Sequence, residues 1–235
     1  MLNDTTPTLQ RKLVWSGWMR LAHALIALPV IVLITTAWLL RYTTGINQAA
    51  IDYHYIAGAL LAMGLILRLG LLFFDRSTGR WQHLVPNRSQ LPAMSKMLRF
   101  YLSFARMPLP KWYAHNPFWL PIYSLMLIVL AIMTISGFLM ASQPILMGLY
   151  LPNIHSLWAP ILTVIVMAHI VTAILHDLKG CGADISAMIN GYRIFQIEKQ
   201  ETGLLNLNPS VSVDDLLGSR KRSNSSKSAK KPEVN

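Results

Sequence analysis

"NIHSLWAPILTVIVMAHIVTAILHDL", residues 153–178, is apolar enough to cross a bilayer and yet carries three histidines, His155, His169 and His176. A span of ~30 Å of hydrocarbon takes about 20 apolar residues. Ionisable groups inside such a span are costly and usually mark function. His155 and His169 are 14 residues apart. At about 100° and 1.5 Å per residue, that interval falls about 40° short of four full turns and rises ~21 Å. Both imidazoles therefore point to one side of the helix, at two depths.

Three further stretches, about 18–42, 53–74 and 118–142, are as apolar as this one, which spans about 155–177. With 53% hydrophobic and 13% charged residues, well under the quarter charged of a soluble domain, the chain reads as an all-α membrane protein, a four-transmembrane-helix bundle over residues 1–200. The first stretch is longer than a signal-peptide core and is expected to stay as a helix. The net charge of +11 is a topology signal rather than a nucleic-acid footprint. Of the 21 Lys and Arg, 20 fall on one side of the four spans and only Arg41 on the other. The positive-inside rule then places both termini and the long connection between helices two and three in the cytoplasm. Within that connection, 90–105 has the mixed polarity of an amphipathic surface helix, which Pro86, Pro92, Pro108 and Pro110 are expected to keep broken. After helix four, Asp184 reads as an N-cap, and Ile185, Met188, Ile189 and Tyr192 as one face of a short cytoplasmic surface helix. The Ser/Lys-rich tail, 203–235, is too polar to pack and is expected to be disordered.

Five of the seven histidines lie in or at the ends of the spans. His54 and His155 open helices two and four near the external face. His23, His169 and His176 lie towards the cytoplasmic face. His83 and His115 sit in the connection, where a solvated role is the default. The histidines thus sort into an external and a cytoplasmic pair, each drawn from two helices, as two stacked bis-histidine haems require. The residues four positions after His23, His54, His155 and His169 are Ala27, Gly58, Ala159 and Ala173, and such small neighbours leave flat space beside each ring. His169 is preferred over His176 as the cytoplasmic ligand because it lies two turns inside. His176, beside Asp177 at the membrane edge, is expected as a surface histidine near propionates or a quinone. Arg68 follows His54 by the same 14 residues and is expected to pair with propionates at the cytoplasmic haem level or to snorkel from the helix end, with Arg20 and Arg41 as further candidates. Zinc wants four ligands around one point, which pairs at separate depths do not supply. The single cysteine, Cys181, excludes c-type attachment and a Cys-rich iron–sulfur site.

The stretches "RLAHALIAL", "HYIAGALLAMGLILR", "HNPFWLPIYSLMLIVLAIMTISGFLM" and "HSLWAPILTVIVMAHIVTAILHDLKGCGADISAMINGYR" together resemble the bacterial di-haem cytochrome b subunits of nickel-iron hydrogenases and formate dehydrogenases. These subunits are related to the small quinol-oxidising cytochromes b. The resemblance covers about residues 15–195 and implies a bacterial inner membrane as the setting. It implies two non-covalent b haems, one on His54 and His155 and one on His23 and His169. It also implies a quinone beside Asn116, where His115 or His176 can handle protons. The function expected is electron transfer, as a carrier subunit of an oxidoreductase complex, between a periplasmic iron–sulfur or c-type partner and the quinone pool, in either direction. A stand-alone quinol- or superoxide-reactive cytochrome is the alternative within that class. A haem-free transporter or membrane anchor is the alternative outside it, and the absence of Asp or Glu inside the spans weighs against it.

Overall fold

Ser16 opens the first long helix. Its hydroxyl accepts from the Met19 N–H at 3.2 Å, an N-cap that satisfies one of the orphan donors of the first turn. Helix α1 then runs Gly17–Tyr42 and ends where Thr43 turns extended. The computed structural model describes residues 8–180 and 184–197; the tail expected to be disordered lies outside them. Four of the described helices are long and apolar enough to cross a membrane. They are α1, α2 (Asn47–Phe74), α4 (Leu120–Leu139, entered through a 3-10 turn at Pro117–Trp119) and α5 (Leu151–Lys179).

Helix α2 starts six residues before its expected position. Nothing between 47 and 52 breaks a helix, and Gln48 Nε2 donates to Asp52 Oδ1 at 3.0 Å across one turn, so the expected loop shrinks to 43–46. Helices α4 and α5 are joined by a short hairpin, β2 (Ile145–Leu146) with β3 (Leu149–Tyr150). Met147 and Gly148 turn it with φ of 49° and 80°, the positive pair that a two-residue hairpin needs.

α1 packs along α2, α4 along α5, and α2 meets α4. The middle of the bundle is closed by Val30, Leu61, Leu65, Val129, Leu130 and Leu162, drawn from all four helices. Outward, large apolar side chains such as Ile66, Ile128 and Val164 are more than half exposed, which suits a surface that meets lipid.

At the end away from the hairpin, α3 (Leu91–Leu102) forms where an amphipathic helix is expected. Its apolar face is tucked into the protein: Met97 and Phe100 are fully buried, packed with Phe118 and Leu175. Helix α6 covers Asp184–Asn190 and corrects two expectations. Gly191, at φ 88°, stops it, so Tyr192 begins a strand, β4 (Tyr192–Ile197), which pairs with β1 (Thr8–Leu13). The capping carboxylate is that of Asp177, which accepts from the backbone N–H groups of Asp184 and Ile185. Asp184 is freed for another role.

Candidate functional site

Two cavities lie inside the bundle on either side of the mid-bundle apolar layer, and Val30 faces both. The cavity at the hairpin end, of about 800 Å³, is lined by His54 from α2 and His155 from α5. Their ring centres are 6.4 Å apart. The other cavity, of about 630 Å³, is lined by His23 from α1 and His169 from α5, whose ring centres are 6.5 Å apart. The 14-residue interval on α5 thus places one histidine in each cavity.

These separations suit one chemical arrangement. Two metal–imidazole bonds of about 2.0 Å, with ~1.1 Å from each nitrogen to its ring centre, put the centres about 6.3 Å apart when the metal lies between the rings. Among the described residues no group of three or more His, Cys, Asp or Glu can hold a metal ion. The histidines meet in twos, which suits a metal whose remaining ligands arrive with it, as a porphyrin's do. The space beside the rings fits as well. Gly58 and Ala159 line the first cavity, Ala27 and Ala173 the second, and a Cβ built on Gly58 would meet nothing within 4 Å. Each cavity also presents a buried polar atom with no partner, Thr134 Oγ1 in the first and Arg20 Nε in the second. Arg68, expected to reach the haem level or to snorkel, is 7% exposed and lines the second cavity. Its Nη1 donates to the Gly79 carbonyl at 2.9 Å, and the Asp75 carboxylate fixes that loop by accepting from the Gly79 N–H and the Ser77 hydroxyl. Arg41 lines the first cavity but is exposed. Paired imidazoles, small neighbours and guanidinium groups around one cavity fit the needs of a haem and its propionates.

At the Arg68 end the structure adds a buried polar cluster. His176, expected at the surface, is 6% exposed, because α3 and α6 fold over the end of α5. Asn116 Oδ1 accepts from the Phe118 N–H, which turns Nδ2 towards Tyr101 Oη at 2.9 Å. Trp119 Nε1 donates to the same oxygen at 3.2 Å. With its lone pairs used, the phenol gives its proton to His176 Nε2 at 2.8 Å. The imidazole proton then sits on Nδ1, facing Asp184 Oδ2 at 3.4 Å. Arg193 Nη2 holds the other oxygen of Asp184 at 2.7 Å. Burial pushes the Tyr101 phenol up to about 12, so it remains a donor at neutral pH. Asn116, His176 and Asp184 all line the second cavity.

His115 is not a solvated loop residue. It packs edge-on against Trp15, ring centres 4.9 Å apart, and Tyr123, 5.9 Å apart. Burial pushes its imidazole down to about 4, with the charges of Arg68 and His83 adding to the effect. Its folded value lies below the unfolded one of about 6.5, so the unfolded chain takes up a proton that the folded chain refuses. Stability is therefore complete above pH 6.5 and is lost as pH falls towards 4, by about 3 kcal/mol in all. Thermal unfolding in detergent at pH 7 and pH 5 should show His115→Phe losing less stability on acidification than the parent.

Sequence reasoning missed Tyr101, Asp184 and Arg193 of this cluster, and Thr36 and Ser136 beside the first histidine pair. Thr36 Oγ1 lies 2.8 Å from His54 Nδ1, and Ser136 Oγ 3.1 Å from His155 Nδ1. A hydroxyl inside an apolar span is the signal that could have found the last two, because such groups seek partners on neighbouring helices.

The family model described as prokaryotic cytochrome b561 matches residues 14–191. Two proteins named probable Ni/Fe-hydrogenase B-type cytochrome subunit, from Azotobacter vinelandii and Azotobacter chroococcum mcd 1, are each 25% identical over 218 residues, covering 80% of this chain and 90% of the relative. No solved structure matches the chain significantly.

Proposed function

Because the chain belongs to the prokaryotic cytochrome b561 family, and so is an electron-transfer cytochrome b of the membrane, we propose that it holds two b haems and links a periplasmic redox partner to the quinone pool. His54 with His155 and His23 with His169 are the pairs that would hold the two haem irons, and Arg20 and Arg68 would meet the propionates of the haem in the second cavity. The observation that carries this reading is the pair of ring separations, 6.4 and 6.5 Å, at two levels of one bundle. When bound, the haems supply single-electron carriage between those levels. The hairpin end is external and the α3 end cytoplasmic, in a bacterial inner membrane with both termini inside, because the basic residues gather at the α3 end. A hydrogenase-type partner on the external face is favoured by the names of the relatives.

The protein's own work at the α3 end is the handling of a proton. Asn116 Nδ2 donates one hydrogen to Tyr101 and lies 3.5 Å from His176 Nε2, a contact long enough for a quinone carbonyl to take the second hydrogen in its place. His176 lines the cavity and carries its proton on Nδ1 against Asp184, whose side chain is 20% exposed. Delivery inward starts from the Nε2–H form of the ring: a protonated Asp184 gives Nδ1 a proton as Nε2 releases one to the cavity, which leaves the Nδ1–H tautomer that accepts from Tyr101. Arg193 keeps the Asp184 carboxylate in place, and Tyr101 keeps the imidazole in this tautomer.

Proteoliposomes given a membrane-impermeant electron donor on the hairpin side test the reading. Quinol should accumulate in the bilayer with the parent and stay at background with His54→Ala. Asp184→Asn should slow it roughly 100-fold, the scale of a lost proton-transfer group, with haem content unchanged. Parent protein that carries both haems and forms no quinol would contradict the quinone assignment.

A further inference from the structure

Thr36 and Ser136 take no part in the scheme above, yet each is almost fully buried, 5% and 3% exposed, and each touches a histidine on a different helix. Thr36 belongs to α1 and meets His54 of α2; Ser136 belongs to α4 and meets His155 of α5. The direction of these bonds follows from where the hydroxyl protons go. Thr36 Oγ1 donates to the Val32 carbonyl at 2.8 Å, with Leu33 O at 3.1 Å as a second acceptor. Ser136 Oγ donates to the Met133 carbonyl at 3.2 Å. Each oxygen is left with a lone pair only, so the ring N–H must donate to it. The Met133 carbonyl, an acceptor only, also interacts with His155. Both rings are thereby fixed with the proton on Nδ1 and the Nε2 lone pair free.

The second pair differs. Among the described residues, no hydrogen bond is made by a ring nitrogen of His23 or His169, and their cavity is lined by the guanidinium groups of Arg20 and Arg68. An N–H···O bond on the far nitrogen makes an imidazole a stronger electron donor to a metal, which favours the ferric state. Nearby cations in a buried site favour the reduced state. Arg41, the cation on the first cavity, is exposed, so solvent screens it.

We propose that Thr36 and Ser136 are positioning residues that orient His54 and His155 and hold the hairpin-end haem at a lower reduction potential than its neighbour. Electrons then run downhill from the hairpin end to the α3 end. This inference rests on the two-haem reading.

Redox titration of the visible bands of the parent, Thr36→Val, Thr36→Ser and Thr36→Val with Ser136→Ala, with haem counted per chain, tests it. His155→Ala identifies which wave belongs to the hairpin end. The lower wave should be the one that His155→Ala removes. Thr36→Val should move that wave upward and leave the higher one in place; a tenfold loss of affinity for the ferric form alone is a shift of ~59 mV. The double variant should move it further or lose that haem. Thr36→Ser, which keeps the hydroxyl, should behave as the parent. Two haems with an unmoved lower wave in the double variant would overturn the proposal alone. So would assignment of the higher wave to the hairpin end, or the same defect in Thr36→Ser as in Thr36→Val. A parent without haem would instead overturn the reading beneath it.

Discussion

Gly64→Ala should cost the protein both haems together with its thermal stability. A Cβ at position 64 would lie 2.8 Å from the backbone carbon and oxygen of Leu25 and 2.9 Å from the Leu25 Cβ. Pro29 has no N–H to give to the Leu25 carbonyl, and α2 passes that bare carbonyl at Gly64. Backbone cannot swing aside as a side chain can, so relief requires α1 and α2 to separate along the most extensive helix contact in the bundle. Overpacking a core costs about 1–3 kcal/mol where side chains can adjust, and the rigid neighbour here puts the cost at the upper end. α1 carries His23 and α2 carries His54, so the same displacement spreads one half of each histidine pair. Gly70→Ala is the matched control, since its Cβ would meet nothing within 4 Å. Unfolding temperature and haem per chain in detergent should fall for the first change and hold for the second.

Gly58→Phe, six residues earlier on the same helix, should have a different effect: loss of the hairpin-end haem alone. A Cβ on Gly58 meets nothing within 4 Å, and the residue lines the cavity between His54 and His155. An aromatic ring there occupies space that a porphyrin needs and strains no helix contact. Haem should drop from two per chain to one, with the Trp119 and Tyr123 surroundings of His169 and the spectrum of the remaining haem unchanged. Retention of both haems would show that the cavity beside Gly58 is not where the ring plane lies.

These two glycines mark how far a sequence can be read here. The spans were legible because hydropathy is a local property, and the two depths because helical rise and rotation fix where residues 155 and 169 point. That Gly58 sits beside an imidazole was legible from the i+4 rule. That Gly64 meets the Leu25 carbonyl was not, since it depends on the rotation of one helix against another. The same limit hid Thr36 and Ser136, whose partners lie 18 and 19 residues away along the chain. His176 was placed near the end of its helix and given the wrong surroundings, because its burial comes from Tyr101 and Phe100 of α3, far away along the chain, and from α6 folding back over the end of α5. Asp184 was read as a local cap, the commonest use of an aspartate before an apolar helix. Asp177 performs that task from the end of α5 and releases Asp184 to Arg193 and His176. The β1–β4 pairing joins segments at opposite ends of the described chain, where no short-range hairpin signal exists.

The central claim is that four histidines hold two haems, in the pairs that the bundle brings together. The most direct test is the dithionite-reduced minus oxidised spectrum, with haem counted per chain, for the purified parent and for His23→Ala, His54→Ala, His155→Ala, His169→Ala and His176→Ala. Two b haems are predicted in the parent. His54→Ala and His155→Ala should remove the same spectral component, His23→Ala and His169→Ala the other, and His176→Ala should retain both. A parent without haem, or loss of haem in His176→Ala with retention in His169→Ala, would contradict the account.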